Sequence, residues 1–119
     1  MVRGDPLDGQ VLVLAAAKAS VAPARLPRLV DRAQAHLGPK LAAYHRRYEC
    51  VAEESDRAVF LVERGHWSEV GADLDFDERE VDALRRAHAE QLRRIGTVTG
   101  RREEFESALD IREAAVVGT

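Results

Sequence analysis

"HWSEVGADLDFDEREVDALRRAHAEQLRRIG", residues 66–96, is the most organised stretch of the 119-residue chain. It reads as a short helix, a tight turn and a long helix. Trp67, Val70 and Leu74 line the first helix, and Gly71 lets another backbone come close. Asp77 is placed to cap the second helix, with Glu80 three residues on completing a capping box. Phe76 and Val81 stand where a hydrophobic staple packs. Val81, Leu84, His88, Leu92 and Ile95 then form one apolar stripe at helical spacing. The outline poses a choice between a helix-turn-helix that reads DNA and two helices of a bundle.

The charges in this stretch favour the bundle. A reading helix presents its first turns to base edges and phosphates. Here Asp73, Asp75, Asp77, Glu78 and Glu80 surround one arginine, which opposes the counterion release that drives DNA binding. Later in the helix, Arg79, Arg86 and Arg93 are spaced by seven opposite the apolar stripe. They make a solvated face, with Asp82 four residues before Arg86 and Glu90 four before Arg94. The same face is the candidate docking surface for an acidic partner.

Outward from this core, the pattern stays helical. Asp5 as cap, Pro6 in the first helical position and Asp8 in the first turn open a first helix. Leu7, Val11, Leu14 and Ala15 recur along it, and the prolines of "SVAPARLP" end it near Ser20. Leu26, Leu29, Val30, Ala33 and Leu37 define a second helix. Gly38-Pro39 stops it and starts a third, carrying Leu41, Tyr44 and Tyr48. Residues 48–63 admit a continuation of that helix or a β-hairpin turning at Glu54, Ser55 and Asp56. The weakly helical "EESD" and the crowded "AVFLV" favour the hairpin. After residue 95, "GTVTG" is poorer helix than alanine by roughly 3 kcal/mol in summed propensity, which predicts a break. A last helix carries Phe105, Ala108, Leu109 and Val116. The fold expected is mainly α, one domain over 1–119, a compact bundle of five to six helices with one hairpin at about 48–63.

Composition narrows the function. Hydrophobic residues at 45% and charged residues at 33% suit a globular chain, and aromatics at 5% leave the core to Leu, Val and Ala. A net charge of -3 gives no general attraction to nucleic acid or anionic membranes. No stretch approaches the roughly 18 apolar residues of a membrane span. The N-terminal "VLVLAAA" imitates a secretory signal, but Asp5 and Asp8 sit where positive charge belongs, so a capped amphipathic helix is the better reading. A single cysteine, Cys50, forms no internal disulfide, and a reducing cytoplasm is the simplest compartment.

The chemistry-bearing residues do not compose a motif. His45 and Glu49 lie one helical turn apart and Glu90 lies near His88, short of the three or four ligands of a zinc site, so no metal or cofactor is expected. His88, on the apolar stripe, is expected to be buried and hydrogen-bonded, and His66 to be exposed. Cys50 has His45, Arg46 and Arg47 near it in sequence but stands in an apolar alternation, which predicts a buried, inert thiol. "GTVTGRR" offers Thr97, Thr99, Arg101 and Arg102 to an anion without the spacing of a phosphate loop.

Two stretches carry resemblances. "WSEVGADLDFDEREVDALRRAH" is similar to the middle helices of death-domain-like bundles, which implies protein–protein association. "AVFLVERGHWSEVG" and "GRREEFESALDIREAAVVG" resemble segments of small haloarchaeal proteins with no assigned activity. Arginine outnumbers lysine 16 to 2, as GC-rich coding produces. The function expected is a non-enzymatic interaction module with an unidentified protein partner. A DNA-associated helix-turn-helix regulator is the alternative, and an enzyme comes third. The terminal "AAVVGT", read as helix, is apolar around more than one face, which predicts a homodimer through Val116 and Val117.

Overall fold

The computed structural model describes residues 6–119, so Asp5 and its expected capping role lie outside the described residues. Among the described residues, six α-helices and three strands follow in the order α1 (Gly9–Ala19), α2 (Leu26–Leu37), α3 (Leu41–Arg47), β1 (Glu49–Glu53), β2 (Arg57–Val62), α4 (His66–Leu74), α5 (Glu78–Thr99), α6 (Arg102–Leu109) and β3 (Glu113–Gly118). A 3-10 turn, Gly38–Lys40, joins α2 to α3 at the expected glycine-proline signal. The fold is mainly helical with a small antiparallel sheet in the order β1-β2-β3.

Local signals account for most elements. The helix α1 begins at Gly9, after Pro6, and ends at Ser20, which adopts the left-handed conformation (φ 58°). Leu7, Val11 and Ala15 are buried as the spacing requires, whereas Leu14 faces outward. All five residues of the α2 stripe are buried. The α4–α5 turn forms as read: Glu80 N–H donates to the Asp77 carboxylate (2.9 Å), and Asp77 N–H donates to Glu80 Oε1 (2.8 Å). The second Glu80 oxygen pairs with Arg25, which ties this cap to the start of α2. A Cβ at Gly71 would collide with the stiff Val81 side chain, so the two helices meet where glycine allows it. Asp77→Ala is expected to cost about 1 kcal/mol, read as a lowered melting midpoint; an unchanged midpoint would refute the cap's contribution.

The long α5 is the axis of the fold, touched by α1, α2, α4, α6 and β3. It does not break at "GTVTG". It continues to Thr99 and ends at Gly100, which takes the left-handed conformation (φ 74°) that glycine adopts without strain. Propensity is overridden by packing there. A Cβ at Gly96 would meet Phe105 Cδ2 at 2.8 Å and Arg102 Cα at 3.1 Å, so this glycine admits the crossing of α6. The hydroxyls of Thr97 and Thr99 donate back to the carbonyls of Arg93 and Ile95, which satisfies them inside the last turns.

The hairpin forms, with Glu54, Ser55 and Asp56 between its strands. A bulge between Cys50 and Ala52 changes which residues point inward. Val51 is buried and Cys50 is exposed, the reverse of the burial expected for this cysteine. The Tyr44 and His45 rings of α3 meet Phe60 of β2 edge-on, with centroids 5.8 and 5.0 Å apart.

The C-terminal segment is a strand where a helix end was expected. Residues 113–118 pair antiparallel with β2, Val59 opposite Val116 and Ala58 opposite Val117. A short apolar run ending in two β-branched residues fits a strand buried on both faces. Val116 and Val117 are fully buried, so the dimer surface assigned to them is not available. The outer edge of β3 meets side chains in place of a fourth strand. The Trp67 indole N–H donates to Ala114 O (2.8 Å), and Val116 N–H donates to His88 Nδ1 (2.9 Å). Gln34 donates to Val116 O (2.7 Å) and accepts from Gly118 N–H (2.8 Å). Three helices thereby close an edge that would otherwise template further pairing.

Candidate functional site

The start of β3 also organises the surface. Glu113, its first residue, turns its carboxylate onto the first turn of α4 and accepts from the N–H groups of Gly65 (3.1 Å) and Trp67 (3.0 Å). A carboxylate there satisfies two donors left open by helix geometry and lies at the positive end of the helix dipole. This clamp brings together the residues just before each element, Arg64 ahead of α4 and Arg112 ahead of β3. Both then face the middle of α5, which contributes Arg85, Arg86 and Arg93. The five arginines line one groove of about 540 Å³, with Ser68, Ala89 and Leu109 among its other walls.

The charges in this groove are unevenly matched. Asp82 serves both Arg85 and Arg86 (2.8 Å to the latter). Glu106 accepts from Arg93 (2.8 Å) and also from Arg102 (3.3 Å). Arg112 donates to Glu49 at 3.1 Å. Arg64 donates to the main-chain oxygen of Asp110 (2.6 Å) and has no carboxylate partner among the described residues. Arg93 also has Glu90 at 3.5 Å, and the Glu113 carboxylate lies in the lining although it is committed to α4. The positive charge left for an anion is therefore that of Arg64 and of the Arg85–Arg86 pair, which share Asp82.

Of the surface residues picked out by spacing, Arg86 and Arg93 line the groove and Arg79 does not. Arg79 is exposed two turns nearer the acidic start of α5. Sequence spacing missed Arg64, Arg85 and Arg112. The adjacent arginine pair 85–86 could have drawn in Arg85. Arg64 and Arg112 lie outside any helical period and meet the others only through β3.

The remaining candidates are dispersed. His45 approaches Glu53 at 4.0 Å, Glu49 binds Arg112, and the Cys50 thiol donates to Ala52 O (3.5 Å). Partial burial and Glu53 push that thiol's pKa up, away from the thiolate. Arg101 is committed to Glu104 and to Val51 O (2.6 Å), and Arg102 to Thr97 and Glu106, so "GTVTGRR" spends its donors within the chain. Among the described residues, no three His, Cys, Asp or Glu side chains group as metal ligands, and no helix is long and apolar enough to cross a membrane.

Two histidines are buried instead. His88 is fully enclosed, lies 4.2 Å from the Trp67 ring centroid and holds β3 through Nδ1, as its place on the stripe predicted. His66, expected to be exposed, is buried at the start of α4, where its Nε2 shares a 2.6 Å hydrogen bond with the Tyr44 hydroxyl. Burial lowers both pKa values, to about 4 for His66 and about 3 for His88, so both rings are neutral at pH 7. Burial is also the largest cause raising Tyr44 to about 12.

Comparison with curated proteins and with solved structures gives no match. The family model described as "Domain of unknown function (DUF8048)" matches residues 5–119, so the described fold and the arginine groove both lie within the matched span. The chain belongs to the DUF8048 family.

Proposed function

We infer that this domain is a non-enzymatic interaction module, working in the cytoplasm, whose arginine groove docks an acidic segment of a partner protein. The observation that carries this reading is the convergence of Arg64, Arg85, Arg86, Arg93 and Arg112 on one groove in a chain of net charge -3. Complementary charge of this kind sets partner choice and speeds encounter. The exposed, unpaired Cys50 suits a reducing compartment. The resemblance of residues 67–88 to death-domain-like helices is in keeping with protein–protein association.

A DNA-associated regulator is the second reading, favoured by the same connected basic surface. Against it, the start of α5, the end a reading helix presents to base edges, carries Asp77, Glu78 and Glu80, and the groove arginines of α5 lie further along the helix. An enzyme ranks third, because His45, Glu49 and Cys50 are engaged separately, by Glu53, Arg112 and Ala52 O.

Fluorescence anisotropy with a labelled glutamate-rich peptide and, in parallel, a labelled DNA duplex tests the order of these readings. The peptide is expected to bind and to weaken with added salt. The double change Arg64→Glu and Arg86→Glu is expected to weaken it at least about tenfold, or about 1.4 kcal/mol. Duplex binding tighter than peptide binding would overturn the reading in favour of the regulator.

A further inference from the structure

A second depression, of about 420 Å³, adjoins the arginine groove and shares Arg64 and Arg112 with it. Its character differs. Leu61 and Val62, from the end of β2, are buried beneath it, and Tyr48 and Ile111 stand at its sides. Ile111 occupies the turn between α6 and β3 and is 67% exposed, one of only four large apolar side chains exposed among the described residues. A lone exposed isoleucine is unremarkable on a protein surface. This one stands over the buried Leu61 and Val62, next to Arg64, which has no carboxylate partner among the described residues.

Carboxylates of the chain also border the depression, but they are occupied. Glu63 accepts from the Tyr48 hydroxyl (3.1 Å) and from Arg47 (3.4 Å), and Glu49 accepts from Arg112 (3.1 Å). Arg47 in turn lies over the Tyr48 ring at 5.1 Å. These contacts hold the polar rim in place and leave the surface around Ile111 as the apolar part. Arg64 stands on the wall between the two depressions.

We propose that the partner segment is bipartite, with carboxylates for the arginine groove and one large aliphatic side chain packed against Ile111 in the neighbouring depression. This rests on the reading of the groove as a dock for an acidic protein segment, and it adds what that segment must carry besides charge. Charge complementarity directs the carboxylates to Arg64, Arg85 and Arg86. The apolar residue covers Ile111 and supplies a buried anchor of the kind that dominates interface energetics. A second copy of this chain is a poor occupant. Its own acidic stretch, Asp73 to Glu78, carries Phe76, but that ring is already half-buried under Arg32 at 4.7 Å.

Two labelled peptides of equal acidic content, one with a central leucine and one with alanine there, separate the parts. The full chain is expected to bind both, the leucine peptide about tenfold more tightly, since burying such a side chain exceeds the free energy of a tenfold change. Ile111→Ser is expected to abolish that preference while leaving the alanine peptide's affinity unchanged; its melting midpoint serves as the check on folding. Arg64→Gln is expected to weaken both peptides alike. Equal binding of the two peptides by the unaltered chain would overturn the apolar anchor and leave acidic docking standing. A leucine preference that survives Ile111→Ser would overturn its placement here. Failure to bind either peptide would overturn acidic docking itself, and the bipartite proposal with it.

Discussion

A chain ending at Arg112 is expected to show no cooperative unfolding transition, although it lacks only seven residues. The loss removes Ala114, Ala115, Val116 and Val117, all fully buried, and opens one edge of β2 along its whole length. Each valine contributes about 2 kcal/mol of apolar burial. The helices lose partners as well. The Gly65 and Trp67 N–H groups lose the Glu113 carboxylate, the Trp67 indole loses Ala114 O, and Gln34 loses both of its contacts. At about 1–3 kcal/mol for each unsatisfied polar group, five such groups amount to on the order of 10 kcal/mol, comparable with the whole stability of a domain. Water reaching the opened site recovers part of this, but only by dissolving the packing around α5. The remaining two-stranded hairpin is marginal without a third strand. Calorimetry and circular dichroism decide the matter. A sharp transition in the truncated chain would mean that the helices hold the fold without β3.

What could be read from the sequence divides along the range of the signals. The α2 stripe, the Asp77–Glu80 cap and the hairpin turn are local patterns, each completed within a few residues, and each stands in the structure. The strand β3 is another matter. Its apolar run is too short for periodicity to separate a strand from a helix end, and its partner β2 lies some fifty residues earlier. Missing β3 also hid why Gln34, Trp67 and His88 are where they are, since all three bond to its outer edge. At "GTVTG" the local signal was real but weaker than the packing of Phe105 and Arg102 against Gly96.

The groove follows the same division. Arg86 and Arg93 could be picked out because they share a face of one helix. Arg64 and Arg112 belong to two connections 48 residues apart, and they meet because Glu113 clamps the start of α4. The mistaken exposure of His66 has the same origin. It follows Gly65, a residue suited to a loop, but Gly65 supplies a positive φ (92°) that turns the chain directly into α4 beneath Tyr44.

Acidification is expected to destabilise the protein well before its carboxylates titrate, because His66 and His88 are buried neutral. Their folded pKa values, about 4 and about 3, lie below the ordinary 6.5. The unfolded chain therefore binds more protons below that point, and stability present above pH 6.5 falls as the pH drops toward the folded values. Over the interval from pH 7 to pH 5, each ring accounts for roughly 2 kcal/mol, so the pair removes about 4 kcal/mol. Burial is the leading cause at both rings. At His66 the carboxylates of Glu113 and Glu63 oppose it, whereas Lys40 and Arg47 reinforce it; at His88 the other histidine reinforces it. Glu104 and Glu106, whose pKa values are held below 4.5 by Arg101 and Arg93, add their loss only at lower pH. Urea titrations at pH 7 and pH 5 measure the difference directly. His66→Gln retains a polar group near Tyr44 without a titrating ring, and it is expected to lose about half of the pH dependence. His88→Asn places an acceptor near Val116 N–H and is expected to lose the other half. A stability that stays level between pH 7 and pH 5 would show that neither ring is held neutral by the fold.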